Sequence, residues 1–126
     1  MSHVRGRDTK PELLVRRLLH AAGLRYRLHG KGLPGKPDLV FASRAAVVFV
    51  HGCFWHMHEC RLGKPVPATN KEFWATKRRG NAERDARNRA ALKKAGWRVF
   101  EIWECETRDS ARLEKRISKL IAALRR

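Results

Sequence analysis

Apolar positions recur with two different periods along this 126-residue chain. Leu14, Val15, Leu18, Leu19 and Ala22 fall three and four apart behind Thr9-Lys10-Pro11-Glu12, which reads as a capping box with proline in the first turn. A first helix is therefore predicted up to Gly23. Residues 24–28 alternate apolar and basic like a half-exposed strand, residues 30–37 form a turn rich in glycine and proline, and residues 38–41 make a second strand. After a turn at Ala42, Ser43 and Arg44, the apolar run 45–50 predicts a strand buried on both faces. Residues 51–69 read as loop, and residues 70–95 as a long polar helix ended by Gly96. Its apolar content is little more than Phe73, Trp74, Leu92 and several alanines. A further strand is predicted over 97–103. Leu113, Ile117, Leu120, Ile121 and Leu124 then return to helical spacing, so a last helix, starting near Ser110, covers the sheet. The predicted order is α-β-β-β-α-β-α in one domain over 1–126, an α/β (α+β) arrangement with one mixed sheet flanked by helices. Many enzymes share that order, and it settles no function.

Charge narrows the choice. Lys and Arg number 29 against 12 Asp and Glu, a net charge of +17, which attracts polyanions and points to nucleic acid. No apolar run approaches the roughly 20 residues that span a bilayer, and MSHVRGRDTK lacks the apolar stretch of a signal peptide. The expectation is a soluble cytoplasmic protein with no membrane partner. On the long helix Lys77, Asn81, Arg84 and Asn88 form a polar stripe. With Arg78, Arg79, Arg87 and Arg89 they suggest a phosphate-contacting face.

The segment HGCFWHMHEC, residues 51 to 60, concentrates the candidate chemistry. Three cysteines, an odd number, two of them set among histidines, favour a metal over disulfides. Cys53, His58 and Cys60 offer three zinc ligands. Cys105 becomes a fourth if the 97–103 strand lies beside the 45–50 strand, closing a structural Cys3His set. Spacing alone does not choose between His56 and His58 as the histidine ligand. His51 and His56 sit at the end of a buried strand, where chemistry is often placed. Metal-assisted phosphodiester cleavage needs a carboxylate for a hard cation, and Asp38 is the only carboxylate between Glu12 and Glu59. Phe54-Trp55 is either a small satellite core or a wedge that enters a base stack.

RDTKPE, LPGKPDLVF, FVHGCFWHMHEC, VPATNKEFWATK, NAERD and GWRVFEIWEC together resemble the very short patch repair (Vsr) DNA mismatch endonucleases, of the PD-(D/E)XK nuclease fold. The resemblance implies a Mg2+-dependent endonuclease that nicks double-stranded DNA 5′ of the thymine in a T:G mismatch left by deamination of 5-methylcytosine. By match, Asp38 binds magnesium with the backbone carbonyl of Val50, a position where a well-known member has threonine. His56 becomes the general base, His51 assists it, and Glu12 acts through waters on the metal. Cys53, His58, Cys60 and Cys105 match structural Zn2+ ligands. Phe54 and Trp55 match intercalating aromatics, and Met1 a residue inserted from the opposite groove. Trp74, Lys77, Asn81 and Arg84 are the expected DNA contacts on the long helix, the first three of them by family match. A monomer, working with mismatch-repair accessory proteins at the nucleoid, is the expected form. The competing readings are a nuclease of the same fold with another DNA target and a non-catalytic, zinc-stabilised DNA-binding module.

Overall fold

In the computed structural model of the chain, residues 9–53 and 71–126 are described. Helix α1 (Lys10–Ala21) starts at Thr9, whose hydroxyl accepts the Glu12 N–H, and Gly23 at φ 81 turns the chain out of it. The predicted stripe holds, with Val15 and Leu19 fully buried. Strand β1 is only Arg27–Leu28, shorter than the alternation in 24–28 predicts. Among the described residues it pairs on one side alone, antiparallel to β2 (Leu39–Phe41), and the next bonds, His29 N–H to Asp38 O and Gly30 N–H to Pro37 O, already belong to the turn.

A short 3-10 turn (Ala42–Arg44) leads into β3 (Ala46–His51) through Ala45, which has φ 51. Ala45 therefore ends the turn instead of opening the strand. Strand β3 is antiparallel to β2 and parallel to β4 (Arg98–Trp103), so the sheet order is β1-β2-β3-β4. Parallel neighbours require a long crossover, supplied here by a segment containing the 24-residue helix α2 (Lys71–Lys94). Between β4 and the last helix α4 (Ser110–Leu124) lies a helix of one turn, α3 (Glu104–Thr107), that the predicted order lacks.

Two apolar layers hold this mixed α+β arrangement. On one face of the sheet Val48, Ile102 and Phe41 pack against Val15 and Leu19 of α1 and Leu113, Ile117, Leu120 and Leu124 of α4. On the other face Val47, Phe49 and Val40 meet Leu92 of α2. Asp109 caps α4 by accepting the Ala111 and Arg112 N–H groups. At its other end Arg98 donates to the Ala123 carbonyl and Arg44 to that of Leu124, placing cations where the helix dipole is negative.

The loop before β2 is pressed onto α2. Gly35 has φ 77, and a Cβ there would come within 2.9 Å of the Asn88 side chain, whereas Gly32 has φ 88 and open space around it. Both Gly→Ala variants carry the backbone cost of about 1 kcal/mol for a left-handed alanine. Gly35→Ala should lose more, because Asn88 must also move. Equal losses for the two variants in urea unfolding would show that the loop does not seat on α2.

Candidate functional site

The site grows from the place where the β2–β3 ladder ends. Beyond the Leu39↔Val48 pair, the Asp38 carboxylate takes the Val50 N–H at 2.6 Å, so a side chain continues the pairing that the backbone gives up. Asp38 is thereby locked at the carboxyl end of β3. Burial raises its pKa, the Val50 N–H opposes the rise, and the nearby Glu12 carboxylate adds to it, leaving Asp38 at about 7.

Glu12 is 1% exposed. The capping-box pattern would send its carboxylate back to the helix start, but the side chain faces inward. There Arg16 pairs with its Oε2, and the His29 Nε2 lies 3.1 Å from the same oxygen. His29 has φ 53, a left-handed conformation that costs a β-carbon residue of order 1 kcal/mol, and its own N–H donates to the Asp38 carbonyl. One strained residue thus touches both carboxylate-bearing segments. Two acid groups brought together, Glu12 buried and Asp38 half-buried, are a poor arrangement for an anion and a good one for a hard cation, so the donor set fits magnesium.

His51, the last residue of β3, is buried and sandwiched. Its ring lies parallel to Phe49 at 5.4 Å between centroids and tilted against Trp103 at 4.8 Å. Its Nε2 is 2.7 Å from the Glu101 carboxylate, which also accepts from Arg89 of α2 at 3.1 Å. Burial would raise the Glu101 pKa, but the hydrogen bond and charge of His51, followed by Arg89, outweigh it and hold the carboxyl below its usual range.

Two residues beyond β3, Cys53 is fully buried, and the Cys105 N–H donates to its sulfur at 3.3 Å. The Cys53 N–H is 3.4 Å from the Glu104 carboxylate. The parallel pairing of β3 and β4 therefore brings together two of the four expected zinc ligands. A cysteine sulfur that accepts a backbone N–H, with a second cysteine beside it, suits a thiolate metal. The other two, His58 and Cys60, lie outside the described residues, as do Met1, Phe54, Trp55 and His56. Among the described residues no three His, Cys, Asp or Glu side chains gather into a metal cluster.

Along α2, Lys77, Arg79, Arg84 and Arg87 are exposed, and Arg84 donates to the Asn81 side chain at 3.2 Å. Trp74 and Asn81 are half-buried. Two of the expected phosphate cations are otherwise engaged: Arg78 is buried and Arg89 is bound to Glu101. Sequence reasoning missed Glu101, Arg16 and His29, and it assigned Arg89 to a phosphate-contacting face where the structure pairs it with Glu101. The available signal was Glu101 itself, a single carboxylate inside the apolar pattern of 97–103. Among the described residues, no helix is long and apolar enough to cross a membrane.

Residues 1–62 match the family model for the DNA mismatch endonuclease Vsr. The chain is 50% identical over 121 residues to the type II nicking enzyme V.XorIIP of Xanthomonas oryzae pv. oryzae, covering 96% of this chain and 88% of that one. It is 41% identical over 125 residues to the type II nicking enzyme V.NmeAIP of Neisseria meningitidis, covering 99% and 89%. With the DNA mismatch endonuclease Vsr of Escherichia coli it shares 45% identity over 113 residues, covering 90% and 72%. The protein is accordingly a hydrolase of the DNA endonuclease class. Within that class the chain belongs to the Vsr family.

The raised Asp38 pKa makes a prediction with a definite sign. The native state holds this proton more tightly than the unfolded chain, so Asp38 favours folding less as pH climbs from about 4 to about 7. Without added divalent cation, Asp38→Asn should be more stable than wild type at pH 8 by ~1–3 kcal/mol, and the gap should narrow toward pH 5. A difference in denaturant midpoints that stays constant with pH would remove the buried-acid reading.

Proposed function

We propose that the chain is a Mg2+-dependent endonuclease that nicks one DNA strand 5′ of the thymine in a T:G mismatch, on a PD-(D/E)XK-type sheet stiffened by a structural zinc. The observation that carries the reading is the half-buried Asp38 carboxyl, fixed at the end of β3 beside the buried Glu12, in a family of DNA endonucleases. The names of the relatives, nicking enzymes and a mismatch endonuclease, support single-strand cutting and a mismatch target.

Asp38 would hold the magnesium with the backbone carbonyl of Val50. A residue in a strand turns its N–H and C=O to the same side, and the Val50 N–H faces Asp38. Such an ion, when bound, offsets charge on the phosphate and on the departing oxygen. Glu12, pinned by Arg16 and His29, would orient water in the site. His56 is assigned the base that takes the proton of the attacking water, with His51 assisting. Lys77 and Arg84, exposed on α2, would meet phosphates, with Trp74 and Asn81 on the same helix nearer the cut. Phe54, Trp55 and Met1 are assigned to the opened base stack. Cys53, His58, Cys60 and Cys105 would hold the zinc that keeps the wedge segment rigid. The acting form is a monomer in the cytoplasm, at the nucleoid, with mismatch-repair proteins downstream.

Strand-resolved cleavage of labelled T:G and matched duplexes, with and without Mg2+, tests the reading. Cutting should require both the mismatch and the cation, and Asp38→Asn should lose at least about 100-fold in rate while still binding DNA. Equal cutting of matched duplex would assign another DNA target. Binding with no metal-dependent cutting by the wild type would make the chain a binding module.

The zinc assignment has its own test. Metal analysis should find about one zinc per chain, and Cys105→Ser should lower that content and the thermal stability together. Native protein whose Cys53 and Cys105 both react at once with a thiol reagent would exclude the site.

A further inference from the structure

Glu101 sits where a carboxylate is costly. It pairs in register with Phe49, and His51 with Trp103, so these four side chains leave one face of the β3–β4 pair. That face is otherwise apolar, built from Val47, Phe49, Val99 and Leu92. An acid there needs partners, and it has two on a single oxygen: the His51 Nε2 at 2.7 Å and Arg89 at 3.1 Å. Packing α2 onto the sheet requires at most the Arg89 contact. The imidazole contact is the shorter of the two, and it reaches a ring already clamped between Phe49 and Trp103.

An ionised carboxylate can only accept a hydrogen bond, so a ring nitrogen facing it must carry the proton. Glu101 therefore selects the His51 tautomer with hydrogen on Nε2 and leaves Nδ1 as the ring's basic atom. It also fixes the ring's rotation. Arg89, from the helix that carries Lys77 and Arg84, holds the carboxylate in place, so the seating of α2 and the orientation of His51 are joined through one oxygen.

We propose that Glu101 is a positioning residue for strand cleavage, acting through His51 as the anchored acid of a Glu-His pair, with Arg89 as the anchor. The inference rests on the reading of His51 as part of the cleavage site.

The test uses the full chain with zinc and Mg2+ and a labelled T:G duplex under single-turnover conditions, with Asp38→Asn alongside. In wild type, nitrogen-15 NMR of the neutral imidazole should place the His51 proton on Nε2. Glu101→Ala should lose that preference and cut at least about tenfold more slowly, with duplex affinity unchanged. Glu101→Gln, which keeps an acceptor but no charge, should fall between. Arg89→Met should slow cutting less than Glu101→Ala does. A wild-type proton on Nδ1, or a folded Glu101→Ala protein cutting at the wild-type rate while Asp38→Asn is inactive, would overturn the positioning role alone. Undiminished cutting by Asp38→Asn would instead remove the site reading and this inference with it. If Glu101→Ala fails to fold, the wild-type tautomer and the Glu101→Gln rate decide the matter.

Discussion

The hydrogen bond from the Val50 N–H to the Asp38 carboxylate is the contact on which the arrangement turns. A strand that runs past its partner leaves a backbone donor to be satisfied, and water or a side chain must supply the acceptor. Here the acceptor is an acid, placed there by a proline-preceded strand start and held under cover. Satisfying the backbone and presenting a carboxylate at a strand end become the same act. The cost falls on Asp38, whose ionised form is disfavoured by burial and by Glu12. A protein that only had to close its sheet could have used asparagine at this position. An acid there is in keeping with the proposed magnesium site.

The wider charge distribution follows the same logic. The chain carries +17, yet the acids engaged at the sheet end are surrounded by specific cations: Glu12 by Arg16 and His29, and Glu101 by His51 and Arg89. Paired acids inside leave the uncompensated cations outside. Lys77, Arg79, Arg84 and Arg87 can then act on a polyanion without their field being cancelled by the carboxylates beneath. Surface pairs contribute little to stability, so this sorting matters more for where DNA settles than for how firmly the chain folds.

Residue pattern carried the elements well and their partners poorly. The stripe Leu113, Ile117, Leu120, Ile121 and Leu124 marks a buried helix face because period and burial coincide, and the structure buries four of the five, with Ile121 half-buried against the same core. Asp38 stood out because an acid-poor stretch surrounds it, and Cys105 because a strand lying beside 45–50 would bring it to the same loop. Glu101 did not stand out in the same way. A period of two says which face a residue leaves but not that His51 lies two register positions along and Arg89 waits on a helix 12 residues earlier. Arg78 counted as a surface cation by composition, yet it is buried, because helix spacing alone cannot say which face a mostly polar helix turns inward. Ala45 and the single turn α3 escaped for a local reason: a left-handed alanine and a four-residue helix run against or below what propensity can signal.

The parallel pairing of β3 and β4 explains why so much gathers at one end of the sheet. Had β4 run the other way, its start would lie beside His51, and Glu104 and Cys105 would sit at the opposite edge, next to Ala46. In the observed direction His51 meets Trp103, and two residues further on Cys53 meets Cys105 and Glu104. The crossover through α2 is what parallel pairing demands, and that same helix carries the exposed cations and sends Arg89 back to Glu101. A thiol pair, a fixed histidine and a basic helix are thus consequences of one topological choice. The strand that orients His51 also delivers Cys53 to the neighbouring strand's end.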